Sequence, residues 1–401
     1  MGVLIVGASV AGTRTVQALR TRGYGGEITV LGEEPHAPYD KPPLSKEMLD
    51  AATGGDTVPL VTPEVLATLD VDLQVGVRAT SLDTNRRTIV CDTGAEHRYT
   101  DALVIATGVT PRRLPGSGAL SNVYTIRTAD DVARLRTELA PGRRAVVVGA
   151  GFIGAEFAAA ASAQGIEVVL VEAQESPLAQ QLGVDAGEAL ARLHADAGVT
   201  VYTGASVDGF IGSPRATAVR LSTGQELPAD FIVVGIGARP ATEWLASSGL
   251  PVSDGVECDE SLRVTGTFDV FAAGDVARWP HPLYGESMRV EHWTNANEHA
   301  EVVAAAIVGA PPPRPSLPYV WSDQYGRRIQ IVGRPVLGSL AMLRGRAGAG
   351  DLVACYINAS GALIGALVVD NPRLLMQFRK AILAGEQFDR FEQRVLAGTA
   401  A

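Results

Sequence analysis

Glycines 149, 151 and 154 in AVVVGAGFIGAEFAAAASAQGIEVVLVEA, with Glu172 placed 18 residues after Gly154, form the strongest chemical pattern in this 401-residue chain. The first glycine permits a tight turn, the second lets phosphate oxygens approach the backbone, and the third lets the following helix pack close, with its N-terminus toward an anion. Glu172 ends the next apolar run, where a carboxylate can accept hydrogen bonds from both hydroxyls of an adenosine ribose. It would repel a 2′-phosphate, so the pattern predicts NADH rather than NADPH. A second copy begins at Val3, VLIVGASVAGTRTVQAL, in which Gly7 and Gly12 bracket Ser9, and Glu33 lies 21 residues beyond Gly12. Serine replaces the middle glycine here, but its small side chain still leaves room for a pyrophosphate. The alternative for either loop is a remnant of duplication that binds nothing.

Three further stretches favour a pair of working nucleotide sites. LVIATG carries an apolar strand into Ala106, Thr107 and Gly108, small residues that let backbone pass close to a dinucleotide, and FAAGDVA repeats that design at Gly274 before Asp275. Asp275 is either a turn residue or a hydrogen-bonding partner for a sugar-alcohol chain. In VEHWTNANEHA, Trp293 opens a helical pattern, where an indole serves either as core or as a face for a flat ring. PYDKPPLSKE, from Pro38 to Glu47, sets two lysines beside a proline-stiffened backbone, as if something next to it were held in one pose.

Composition limits the remaining possibilities. The chain is 46% hydrophobic with a formal net charge of -10, which supports a large core and opposes broad nucleic-acid binding. No apolar run is long enough for a membrane helix and the N-terminus lacks a signal-peptide pattern, so a cytoplasmic protein is expected. Cys91, Cys258 and Cys355 are far apart in sequence and offer no local dithiol, and His292 and His299 do not make a zinc pattern, so no metal is expected. Arg327, Arg328, Arg334, Arg344 and Arg346 make either a solvated basic surface or a docking face.

Taken together, PYDKPPLSK, GAGFIGAE, AAGDVA, VEHWTNA and YVWSDQYG resemble segments of the FAD-dependent NADH:ferredoxin reductases of oxygenase electron-transfer chains, the putidaredoxin reductase type, and the resemblance runs through essentially the whole chain. It implies an α/β fold with two Rossmann-like dinucleotide-binding domains of the glutathione-reductase type plus a smaller α+β C-terminal domain. The expected boundaries are 1–111 with 237–311 for a discontinuous FAD domain, 112–236 for the NAD(H) domain, and 312–401 for the C-terminal domain. The linker APPPRPSLP, beginning at Ala310, independently supports the last boundary.

The resemblance also implies residue roles. Lys46 would lie at the flavin's reactive edge, paired with Glu156, with Pro43 in the bordering loop and Lys41 toward the FAD phosphates. A lysine there can stabilise negative charge on reduced flavin while the carboxylate orients it; the bland alternative is a structural ion pair. Ala11, Glu33, Ala79, Arg127, Asp275 and Trp293 match FAD-contacting places, Phe152, Ile153 and Glu172 the NAD(H) side, and Gly235 and Gly237 are further cofactor-binding candidates. Implied partners are an iron-sulfur ferredoxin and, through it, a cytochrome P450 or Rieske oxygenase, with the chain a monomer or weak homodimer. NADH-dependent reduction of rubredoxin, a quinone or oxygen is the enzymatic alternative, and a flavin-binding interaction protein the non-enzymatic one.

Overall fold

ALVI at Ala102–Ile105 and GVLIV at Gly2–Val6 are buried almost throughout, as strands covered on both faces of a parallel sheet must be. In the computed structural model, which describes residues 2–50 and 55–396, they are the second and third strands of a five-stranded sheet. Its order is Val270–Ala272, Ala102–Ile105, Gly2–Val6, Glu27–Gly32, Asp72–Val75, all parallel. The helix Val10–Thr21 follows the central strand directly, and Trp293–Ile307 packs against that helix. A three-stranded antiparallel sheet, Ala79–Asp83, Thr88–Cys91 and Glu96–Arg98, completes this compact unit, which comprises Met1–Pro42, Thr57–Thr110 and Ala238–Ser316.

The second unit comprises Pro43–Asp56, Pro111–Gly237 and Leu317–Ala401. It repeats the same design around the other glycine loop: Thr200–Tyr202, Glu167–Val171, Arg144–Val148, Phe231–Val234 and Val123–Tyr124 pair in that order, all parallel, and the helix Phe152–Ala163 follows the central strand. Its C-terminal part is a five-stranded antiparallel sheet ordered Tyr319–Gln324, Arg327–Gly333, Leu363–Val369, Val353–Ile357, Ser339–Arg344, with the helix Pro372–Leu383 packed on it. Segments 112–236 and 312–401, which the sequence reading separates, thus share one unit from residue 317 onward, together with Pro43–Asp56. No helix among the described residues is long and apolar enough to cross a membrane.

Candidate functional site

The two glycine loops have matching backbone geometry. Gly7 and Gly149 adopt φ of +117° and +98°, and a methyl group added to either would meet a carbonyl oxygen of the neighbouring strand's end, Ala106 at 2.2 Å or Gly235 at 2.3 Å. A methyl on Gly12 would lie 1.9 Å from the Gly7 carbonyl oxygen, and one on Gly154 would lie 2.0 Å from that of Gly149. Both helices therefore start hard against their strands, which is possible only without a Cβ.

The middle position obeys a different rule. Gly151 has φ of -72° and a methyl there would meet nothing within 4 Å, so neither backbone nor packing demands glycine. Ser9 adopts a similar extended conformation, φ -88°, as N-cap of its helix, with no side-chain cap hydrogen bond. At the equivalent place in the second loop a side chain would meet open space, where a pyrophosphate would lie at a helix N-terminus, and Ser9 keeps the same extended backbone there. Residues of both loops thus fit a bound dinucleotide.

The two acids differ. Glu172 is buried, and its carboxylate accepts the N–H of Ala150 at 2.7 Å and of Gln174 at 2.9 Å, so it braces the second loop from inside. Glu33 is exposed, 3.9 Å from Arg78. The neighbouring Glu34 instead receives the Lys41 ammonium at 2.6 Å and the Tyr39 hydroxyl, and Lys41 lies over the Tyr39 ring. Lys41 is thus balanced by a local carboxylate.

Other expected residues of the first unit converge. Gly274, at φ +76°, would bring a methyl within 3.0 Å of Ala11 Cβ and 3.6 Å of Ala296 Cβ, so Ala11, the Gly274–Asp275 turn and the start of the Trp293 helix lie together. The Trp293 indole donates to Asp40 at 2.6 Å, tying the PYD segment to that helix, and Arg289 donates to the Asp275 carbonyl. The Gly274 N–H donates to His299 Nδ1 at 3.2 Å, and burial, with the charge of His281 adding to it, pushes this fully buried imidazole down to about 3. Ala79 is buried in its strand opposite Cys91, and Thr107 donates to the Ala241 carbonyl.

In the second unit, Pro43 lies in a single 3-10 turn, Pro42–Ser45, that delivers Lys46. The Lys46 ammonium lies 3.3 Å from Glu156 and 3.5 Å from Asp323. Glu156, on the helix Phe152–Ala163 and 5% exposed, also accepts from the hydroxyls of Ser45 at 2.5 Å and Ser322 at 2.8 Å and from the Asp323 N–H at 3.2 Å. Burial raises the Glu156 carboxyl above the usual range, a trend that Lys46 and these donors oppose without cancelling. Phe152 packs into the core around Leu190 and Ile329, whereas Ile153 is 42% exposed at the helix start. Gly237, at φ +87°, accepts from the Arg112 N–H, and Arg127 precedes the capped helix Ala129–Arg136, its N–H donated to Asp131.

The sequence assigns no partner to Ser45, Ser322, Asp323, Asp40 or His299. Asp323 and Ser322 stand in the quoted YVWSDQYG, but nothing local marks them as partners of a residue more than 160 positions away. The arginines of the last segment are partly committed: Arg327 pairs with Asp370, Arg328 with Asp323, and Arg344 donates to the Leu396 carbonyl. Cys91, Cys258 and Cys355 are buried free thiols, and burial pushes Cys258 and Cys355 up to about 12. Among the described residues no cluster of three or more His, Cys, Asp or Glu could hold a metal.

Residues 1–300 match the family model described as pyridine nucleotide-disulphide oxidoreductase, and residues 319–395 match the one described as reductase C-terminal. The chain is 34% identical to the probable ferredoxin reductase CtmF of Castellaniella defragrans, covering 96% of this chain and 95% of that protein. It is 38% identical to the ferredoxin reductase component of chlorobenzene dioxygenase from Cupriavidus sp. strain PS12, covering 92% and 90%. The reductase of the covalent putidaredoxin reductase–putidaredoxin complex superposes with a TM-score of 0.90 at 30% identity over 100% of this chain and 99% of that one. With matched glycine loops in its two parallel sheets and a C-terminal sheet beyond them, the chain belongs to the pyridine nucleotide-disulphide oxidoreductase family, among its ferredoxin reductases.

Proposed function

We propose that the protein is an FAD-dependent NADH:ferredoxin reductase that passes single electrons to an iron-sulfur ferredoxin serving a cytochrome P450 or another oxygenase. The observation that carries this reading is the pairing of two equivalent dinucleotide cradles with thiols that are all buried. A family member that reduces disulfides needs an exposed, low-pKa dithiol; here the thiols are inaccessible and hard to ionise, so electrons must leave without a cysteine.

FAD, when bound, accepts the two-electron hydride of NADH and releases electrons one at a time, which matches a one-electron iron-sulfur acceptor. The chain's own residues bind and orient. The Gly7–Gly12 loop, with Ser9 at its open position, would hold the flavin dinucleotide's pyrophosphate, and Asp275 its ribityl chain. The Gly149–Gly154 loop, braced by Glu172, would hold NADH, with exposed Ile153 available to the nicotinamide side. Lys46, kept charged-paired by Glu156, would stabilise the negative charge of reduced flavin. A cytoplasmic location, and a monomer or weak homodimer, accompany this reading.

The test is anaerobic: the FAD-loaded protein mixed with NADH should bleach, and added ferredoxin should then become reduced. A protein that bleaches but passes electrons only to quinone, rubredoxin or oxygen would overturn the acceptor assignment; one that does not bleach would overturn the enzyme.

A further inference from the structure

Asp323 touches both members of the Lys46–Glu156 pair. Its backbone N–H donates to Glu156 Oε1 at 3.2 Å, while its carboxylate lies 3.5 Å from the Lys46 ammonium. The preceding residue, Ser322, donates its hydroxyl to the same Glu156 oxygen at 2.8 Å. Both stand near the end of the edge strand Tyr319–Gln324, where Asp323 is paired in register with Arg328 of the next strand. Arg328 holds the Asp323 carboxylate through two hydrogen bonds, 2.8 and 3.1 Å, a geometry that fixes the direction of the acid as well as its charge. The result is a chain of alternating charge, Glu156, Lys46, Asp323, Arg328, running from a 5% exposed carboxylate to a 57% exposed guanidinium.

We propose that Asp323 is a positioning residue for electron transfer, which holds the Lys46 ammonium in place through its carboxylate while its N–H fixes Glu156. This inference rests on the reading of Lys46 as the cation at the flavin edge. Two features separate it from a surface ion pair. Lys46 and Glu156 are 12% and 5% exposed, so solvent screens their pair little, and Asp323, itself 34% exposed, meets the inner, shielded end of the chain at Lys46. The two carboxylates are also unlike: Glu156 is raised by burial, whereas for Asp323 the opposing effect of burial is outweighed by the Arg328 hydrogen bond and the Lys46 and Arg328 charges, which hold it below the usual range. Lys46 therefore keeps one firmly charged partner, Asp323, whatever the protonation of Glu156. Arg328 supplies the opposite charge on the outer side and keeps Asp323 from turning away.

The test compares Lys46→Met, Asp323→Asn and Asp323→Glu. Asparagine keeps the shape and removes the charge. NADH-driven flavin reduction, followed by stopped flow across pH, should slow about tenfold in Asp323→Asn, since displacing a reacting group by about 1 Å can cost as much as a hundredfold. Its pH profile should shift, because Glu156 then remains as the lysine's anionic partner among the described residues, and Asp323→Glu should recover most of the rate. A second readout needs no flavin: in the 15N,13C-labelled apo protein, the Lys46 ammonium, identified by its disappearance in Lys46→Met, should show correlations to both the Glu156 and the Asp323 carboxylates, with a broadened signal in Asp323→Asn. An ammonium correlated with Glu156 alone in the wild-type chain overturns the proposal whether or not the variants fold. A slow Lys46→Met beside a wild-type Asp323→Asn overturns the role of Asp323 and leaves that of Lys46 standing; wild-type kinetics in Lys46→Met remove both.

Discussion

Gly154→Ala should weaken NADH binding and leave FAD in place. Its methyl group would lie 2.0 Å from the Gly149 carbonyl oxygen and 3.3 Å from Val147 Cγ1. Ordinary carbon–oxygen contact is about 1.2 Å longer than the first of these distances, and the obstacle is backbone, so the helix Phe152–Ala163 and its glycine loop must separate by roughly that amount. Overpacking of this kind costs about 1–3 kcal/mol. If the strain is relieved by moving the loop off its anion-binding geometry, the same energy appears as a loss of affinity of about 5- to 150-fold. Gly12→Ala is the mirror experiment, with 1.9 Å to the Gly7 oxygen, and should empty the protein of FAD. Gly151→Ser is the control: nothing lies within 4 Å of that position and Ser9 already stands at its counterpart, so NADH affinity should change less than about threefold. Flavin occupancy after dialysis and anaerobic titration with NADH measure both cofactors separately. A Gly154→Ala protein that binds NADH normally, or that loses FAD instead, would refute the assignment of the loops.

Glu172→Gln should weaken NADH by about tenfold without creating NADPH preference, because a single amide oxygen cannot replace the two acceptors used by Ala150 and Gln174; comparable titrations with both nucleotides check it, and a switch to NADPH would contradict it. Asp275→Ala should lower FAD retention while the apo protein unfolds at the wild-type denaturant midpoint; full retention with a large loss of stability would mark Asp275 as a turn residue. His194 and His299 are held neutral, their pKa values pushed down by burial to about 4 and about 3. The unfolded chain takes up a proton at each below about 6.5, so the stability they secure is complete above that pH and is lost as pH falls toward the folded values, with a slope of at most about 1.4 kcal/mol per pH unit for each. Denaturant unfolding from pH 7 to pH 4 should show this decline, shallower in His299→Asn; a slope unchanged by that substitution would contradict it.

The parts of the site that depend on backbone shape were legible in the sequence, because glycine spacing, apolar strands and a following acid all lie within some thirty consecutive residues. The full set Gly149, Gly151 and Gly154 and the interrupted set Gly7, Ser9 and Gly12 build the same turn, and the structure explains why serine is harmless at only the middle position. What could not be read were pairings across long separations. Ser45, Ser322 and Asp323 reach Glu156 from 111, 166 and 167 residues away, and Asp40 reaches Trp293 from 253. Each is an ordinary polar residue in its local context, and only the return of the chain to the same sheet edge or helix end makes it a partner. Glu33 and Glu34 show the opposite problem: two adjacent acids follow the strand, and spacing alone does not tell that the second engages Lys41 while the first stands exposed.

Electron transfer from NADH through bound flavin to a one-electron acceptor is read most plainly from the anaerobic stoichiometry. One equivalent of NADH added to a catalytic amount of the FAD-loaded protein with excess one-electron iron-sulfur ferredoxin should reduce two equivalents of ferredoxin, with no NADPH-driven reaction of similar efficiency. Flavin that is bleached by NADH yet leaves the ferredoxin oxidised, while an added quinone is reduced, would rule out ferredoxin as the acceptor.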